Sequence, residues 1–398
     1  MPPPTVAPMA ATITAIRDTA GTPTGPVPAT DPTGVFAPVP LDHVPDVVQA
    51  LERLGVAPFA DRTPISRPGR NDNWAGPTAD GREVFVKRLA QPLAAERFDR
   101  ARAFEQVLAA GRPPEHWHSP AFLGADPGAL LLVHERLVDA VPGNLLADQG
   151  RFDAALSHRA GLALAELHRM PVHPADLPEP ATGGREGSTA RLVELTAEDY
   201  AAASGGELEV WSMLQHDKRV RAALRELAGS SAAAPAVPIH GDLRLDQFLL
   251  SGDDLYLTDW EEFRIADPAR DVGAYVGQWL HRAAVGMFAG LGPDTPVPPA
   301  EVHEALMRSG AEQLDAVRPQ IAAFWSGYRR VRSEPAADER RFTARVTRYA
   351  GWHLFERTIA TAALTHRLTA VLRGAAGVGR NALLDPLRSA EVLGLVQD

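Results

Sequence analysis

The run IHGDLRLDQFLL, Ile239 to Leu250, followed by the turn SGDD and the run LYLTDWEEF, constrains this chain more than any other segment. Two strand-like stretches flank a short polar loop, and a carboxylate stands at each end of the unit. Asp242 lies in the loop and Gln247 comes five residues later. Asp259 ends the returning strand, 17 residues beyond Asp242.

That layout suits phosphoryl transfer. A loop Asp accepts the proton of the acceptor hydroxyl, while an amide oxygen five residues on and the Asp at the end of the hairpin hold Mg²⁺ on the phosphates of ATP. Asp242 is therefore the candidate base, and Gln247 and Asp259 are the candidate metal ligands. Arg244, two residues after the base, is placed to stabilise charge on the group in transfer.

Lysine usage supplies a second pointer. Of 40 basic residues only Lys87 and Lys218 are lysine. Lys87 sits in VFVK on an expected strand, Glu83 to Leu89, where a compact ammonium suits the α- and β-phosphates of a nucleotide better than a guanidinium. A helix expected from about Pro92 to Ala110 should carry its glutamate partner. Glu105 is the first choice and Glu96 the second. Before the strand, PGRNDNWAGPTADG reads as a polar, turn-rich loop, in which Gly69, Asn71, Asn73 and Gly76 offer donors above the phosphates. Glu135, at the end of the buried run ALLLVHERL, marks the connector where adenine would bond to backbone groups.

Residues 1–40, rich in Pro, Ala and Thr, read as a disordered arm. From residue 41 the pattern turns helical, and an N-lobe over 41–138 precedes a mostly helical C-lobe over 139–398. Helical spacing marks 152–170 and 207–228. Asp267 and Pro268 read as the N-cap and first position of another helix, and long helices are expected over 300–332 and 337–372. The fold class is thus α+β and bilobal. Cysteine is absent, which excludes disulfides, thiolate metal sites and a cysteine nucleophile. A net charge of −10 argues against nucleic acid as a partner, no apolar run suits a membrane span, and a cytoplasmic location is expected.

Several of these segments together carry a resemblance. HGDLRLDQFLL, then LYLTDWEEFRIADPARDVG, with LAELH at 164–168, LLVHERL at 131–137 and FWSGY at 324–328, resemble the aminoglycoside phosphotransferase and choline kinase group over roughly residues 60–330. The resemblance implies a protein-kinase-like fold, ATP and Mg²⁺ as cofactors, a structural role for His240 and a bracing role for Asp271. It also exposes a departure, because Gln247 stands where that group has asparagine. GRNDNWAG together with HGDLRLDQFL further resembles the kinase subunits of class V lanthipeptide synthetases. This implies phosphorylation of Ser or Thr in a ribosomally made precursor peptide, with a separate lyase subunit as partner. The alternatives are a kinase for a small molecule such as an aminoglycoside, a choline-like alcohol or a sugar, and a pseudokinase scaffold disabled at Gln247. HWH at 116–118 is read as structural rather than metal-binding, GVGRNA at 377–382 as helix rather than a dinucleotide loop, and the arginines of 329–348 as a solvated helix face.

Overall fold

The computed structural model describes residues 39–60, 64–66, 71–91, 93–178, 191–289, 301–332 and 336–396. Gly69 and almost all of the N-terminal arm lie outside the described residues. In the first half of the chain, helix α1 (Pro45–Arg53) packs on a four-stranded antiparallel sheet of order β1-β2-β4-β3. Its strands are β1 (Asp72–Pro77), β2 (Glu83–Arg88), β3 (Phe122–Asp126) and β4 (Leu131–Glu135), and helix α2 (Ala94–Ala110) joins β2 to β3. The sheet's inner face, Trp74, Val84, Val86, Leu131 and Val133, meets Val47, Ala50 and Leu51 of α1 in one apolar cluster. The segment around Asn73 expected as a loop is thus a strand. Its polar residues sit on the sheet's edge, while Trp74 is buried and full pairing with β2, Asn73 opposite Lys87, satisfies the backbone.

The chain leaves the sheet after Glu135. The short strand β5 (Val141–Pro142) pairs with β7 (Phe248–Ser251), which pairs with β8 (Asp254–Leu257). Between them come helices α3 (Gly143–Asp148), α4 (Ala154–Leu167), α5 (Ala197–Ala202), α6 (Gly205–His216) and α7 (Lys218–Ala232), then β6 (Val237–Ile239). The single helix expected over 207–228 is two, because the Asp217 carboxylate accepts from the N–H groups of Arg219 and Val220 and starts a new helix. Strand β9 (Arg264–Ala266) pairs with β6, and helices α8 (Ala269–Gly286), α9 (Val302–Val331), α10 (Ala336–Ala362), α11 (Ala370–Leu384) and α12 (Pro386–Leu393) complete the lobe. The helix expected over 337–372 ends at Ala362, and Thr369 caps the next. Helix α8 begins one residue later than expected, though the Asp267 carboxylate still accepts from the Ala269 N–H. No helix among the described residues is long and apolar enough to cross a membrane.

Helices α4 and α9 cross closely in the core. A Cβ on Gly161 would lie 2.2 Å from the Phe324 carbonyl, and one on Gly327 would lie 2.2 Å from the His158 carbonyl. Both obstacles are backbone atoms that cannot rotate aside. Gly161→Ala is expected to lower the unfolding free energy by about 1–3 kcal/mol through overpacking, read as a lower urea midpoint with an unchanged slope.

Candidate active site

The loop between β6 and β7 is gripped from beneath. Asp271, fully buried on the first turn of α8, accepts hydrogen bonds from the His240 N–H (2.7 Å) and the Gly241 N–H (2.9 Å). His168 Nε2 donates to the same carboxylate at 3.2 Å, with Tyr328 Oη 2.9 Å from Nδ1. Burial lowers the pKa of His168; burial alone would raise that of Asp271, but the His168 bond and the neighbouring imidazoles hold it below its usual value. Gly241 has φ +86°, and a Cβ there would fall 2.2 Å from the Glu262 carbonyl, so the tight passage requires glycine. His240 is buried, and its Nε2 donates to the Thr258 carbonyl at 2.9 Å, tying the loop to the end of β8.

Past this grip, Asp242 opens to the cleft with 42% of its side chain exposed and binds Arg244 Nη1 at 2.5 Å. The remaining nitrogens of Arg244 reach Asp246 at 3.1 and 3.2 Å. Partial loss of solvation in the cleft pushes the Asp242 carboxyl above its ordinary pKa; Arg244 pulls it back, and the charges of Asp259 and Glu262 push it further up.

Asp259 faces this pair from the end of β8 in a left-handed conformation, φ +75° and ψ +59°, which aspartate tolerates better than most residues. It forms an ion pair with Lys87 of β2. Burial alone would raise the pKa of Asp259 and lower that of Lys87. The pair reverses both, so the carboxylate is held far below its usual range and the ammonium above its own.

Lys87's second partner is Glu261 Oε2, 2.9 Å away, and not Glu105. Glu105 Oε1 lies 3.0 Å from His134 Nε2 on β4, which takes up the carboxylate meant for the lysine, and Glu96 pairs with Arg100. The only sequence signal for Glu261 is its place two residues after Asp259. Asn71 is likewise committed: its amide donates to Glu261 at 2.7 Å and its carbonyl oxygen accepts from the Ala90 N–H, so it supports the ion pair rather than facing phosphates. Asn73, opposite Lys87 on β1, donates to the Asn71 carbonyl at 3.3 Å, while Gly76 lies against Phe59 and Pro64. The Glu135 side chain is exposed, and its N–H donates to the Ala121 carbonyl, so that donor is not available to adenine.

The expected metal ligand Gln247 is held within its own loop. It is buried, its Oε1 accepts from the Arg244 N–H at 2.8 Å, and its Nε2 has no partner among the described residues. The extra methylene lets the amide fold back on its own loop. Asp259, ionised and oxygen-bearing, is the one expected ligand presented toward the cleft with its chemistry intact, and it suits a hard cation that takes its other oxygens from phosphate and water.

Other sequence candidates resolve as structure. Trp117 of HWH is buried in the core, and His118 exchanges backbone bonds with Leu255 and Leu257 of β8. No group of three or more His, Cys, Asp or Glu among the described residues is placed to hold a metal by itself. GVGRNA lies inside α11, and Arg329, Arg345 and Arg348 pair with Glu339, Asp267 and Glu226.

Asp242 also lines a cavity of ≈ 210 Å³ to which Lys87 and Asp259 do not contribute. It is walled by the 241–244 loop and by α8 and α10, with Arg270, Tyr349, Trp352, Glu356 and Arg357 among its lining residues.

Comparison with known proteins agrees with this arrangement. No curated protein matched the sequence. Among solved structures, a choline/ethanolamine kinase family protein from Mesorhizobium loti is similar at 16% identity and a TM-score of 0.50, over 88% of this chain and 98% of that one. The amicoumacin kinase hAmiN in complex with AMP-PNP and Ca²⁺ gives 12% identity and a TM-score of 0.47, over 86% and 93%. An aminoglycoside phosphotransferase from Alicyclobacillus acidocaldarius gives 14% and 0.43, over 83% and 93%. The first of these supports a shared kinase-like fold. The model of the phosphotransferase enzyme family matches residues 61–333, which hold Lys87, the 240–247 loop, Asp259 and Asp271. The chain therefore belongs to the phosphotransferase enzyme family, as an enzyme with a hydroxyl group as acceptor.

Proposed function

We propose that this enzyme transfers the γ-phosphoryl group of ATP, with Mg²⁺, to the hydroxyl of a small molecule seated beside Asp242. The observation that carries the reading is the position of Asp242 between two features. On one side Lys87 and Asp259 form an ion pair between the sheet and the catalytic loop's hairpin; on the other a partly open cavity begins. In this reading Lys87 binds nucleotide phosphates and Asp259 holds the metal, which when bound neutralises charge on the phosphates. Asp242 accepts the proton of the acceptor hydroxyl. The acceptor oxygen forms a bond to the γ-phosphorus as the bond to the β,γ-bridging oxygen breaks, its electron pair leaving on ADP, and the proton passes from Asp242 to solvent. Arg244, 2.5 Å from Asp242, both orients the base and meets the charge of the group in transfer.

The cavity's size and its walls of loop and helix favour a small acceptor over the precursor peptide expected from the sequence. The peptide and its lyase partner rest on the sequence resemblance alone. A pseudokinase is disfavoured because the lysine, the loop aspartate and the hairpin aspartate are all present and ionic; only Gln247 departs, and it has a structural use.

Asp242→Asn is expected to lower kcat by about 10²–10⁴-fold, the usual worth of a general base, while Mg²⁺–ATP binding by calorimetry persists. Asp259→Asn should weaken nucleotide binding chiefly when Mg²⁺ is present. Unimpaired transfer by Asp242→Asn, or turnover of Ser/Thr peptides with no small alcohol accepted, would overturn the reading.

The pH profile follows from the charges. A protonated base cannot accept the hydroxyl proton, so activity is lost as pH falls through the pKa of Asp242. With that pKa raised, the acid limb of kcat/KM should lie above the ordinary value of 3.8. Arg244 lowers this pKa, so Arg244→Gln should move the limb to still higher pH, measured across a constant-ionic-strength buffer series.

A further inference from the structure

The charges around the acceptor cavity are unevenly matched. Three guanidinium groups line it, those of Arg244, Arg270 and Arg357, against the carboxylates of Asp242 and Glu356. Arg244 is taken by Asp242 and Asp246. Arg270 Nε donates to the Gly241 carbonyl at 3.2 Å and its Nη2 lies 4.0 Å from Glu356. Glu356 also accepts from Trp352 Nε1 at 2.8 Å and lies 3.8 Å from His353 Nδ1. The Arg357 guanidinium has neither a hydrogen bond nor an ion pair among the described residues, although it is only partly exposed. A half-buried cation without a counter-ion is costly, and its planar fork is shaped for a carboxylate or phosphate.

Resting on the function proposed above, we propose that the acceptor carries an anionic group, a carboxylate or a phosphate, close to its hydroxyl, and that Arg357 receives this group while the hydroxyl faces Asp242. Arg357 and the cavity walls of Tyr349 and Trp352 come from one helix, α10, so the anion site and its apolar flank move together. His353, on the same wall, is held neutral by burial, with Arg357 and His281 adding to the effect; it leaves Arg357 as the charge the anion meets. Burial, and then the nearby Arg244, lower the pKa of Arg357, which agrees with a cation short of negative neighbours even with Asp246, Asp242 and Glu356 in range. Such a cavity repels cationic acceptors such as amino sugars.

The test uses the full chain with Mg²⁺–ATP and matched acceptor pairs in which a carboxylate is exchanged for its amide: glycerate and glyceramide, N-acetylserine and N-acetylserinamide. Wild type should favour the anionic member of a pair by about 10- to 100-fold in kcat/KM, mostly through KM. In Arg357→Gln that ratio should collapse toward one, whereas Arg357→Lys should keep part of it. Mg²⁺–ATP binding serves as the folding control for each variant, and Arg357→Lys keeps the test valid if Arg357→Gln misfolds. A wild-type ratio near or below one overturns the inference, as does a ratio unchanged in both variants. Mg²⁺–ATP binding with faster turnover of cationic amino alcohols overturns the inference alone, while wild type that binds no Mg²⁺–ATP overturns the function on which it rests.

Discussion

One buried carboxylate sets the position of the catalytic loop. Asp271 accepts from two successive backbone N–H groups, those of His240 and Gly241, and from His168. Because it stands at the start of α8, whose inner face lies in the main apolar core, the loop is referenced to that core. The two N–H groups have no other acceptor among the described residues, and an apolar residue at 271 would leave them buried and unsatisfied. The left-handed Gly241 then turns the chain so that Asp242, one residue on, leaves the core for the cleft. Burial at 240 and 241 and exposure at 242 are therefore consequences of one interaction.

The second organising feature is the turn after β8, where four consecutive residues each reach toward the sheet or α2. Asp259 and Glu261 share Lys87; Trp260 stacks on Phe104 of α2 with ring centroids 3.6 Å apart; Glu262 holds Arg97 and Arg100 of the same helix at 3.0 Å each. Helix α2 is thus placed by contacts at 97, 100 and 104, all on the face that meets the turn. This explains why Glu105 is not needed by the lysine. Glu261, 2.9 Å from Lys87, occupies the place beside the ammonium that a helix glutamate was expected to take.

What could be read from the sequence was what depends on local order along the chain: the loop, the hairpin, the spacing of Asp242 and Asp259, and the strand that carries Lys87. What could not be read was which side chains meet across large separations. Lys87 and Asp259 are 172 positions apart and Asn71 and Glu261 are 190 apart, and no periodicity records such pairings. Strand β1 was hidden because its polar edge residues mimic a loop, and only Trp74 hinted at a buried side. The break at Asp217 was in principle legible, since an aspartate inside a helical pattern is a ready N-cap; continuity of apolar spacing on both sides concealed it.

Gln247 shows how one methylene redistributes work within a site. An asparagine's carbonyl would end nearer its own backbone and could not reach as far back along the loop. The glutamine spans to the Arg244 N–H and closes the 3₁₀ turn Leu245–Gln247. That bond fixes the backbone of Arg244, whose side chain in turn holds Asp242. The same atom, already accepting one hydrogen bond, has one lone pair left and a fixed orientation, and Mg²⁺ is intolerant of poor geometry. In the proposed mechanism, an amide committed to loop rigidity leaves more of the metal binding to Asp259 and to the phosphates themselves. Metal affinity in such a site should depend on nucleotide more strongly than in one with two protein ligands, because most of the oxygens arrive with ATP.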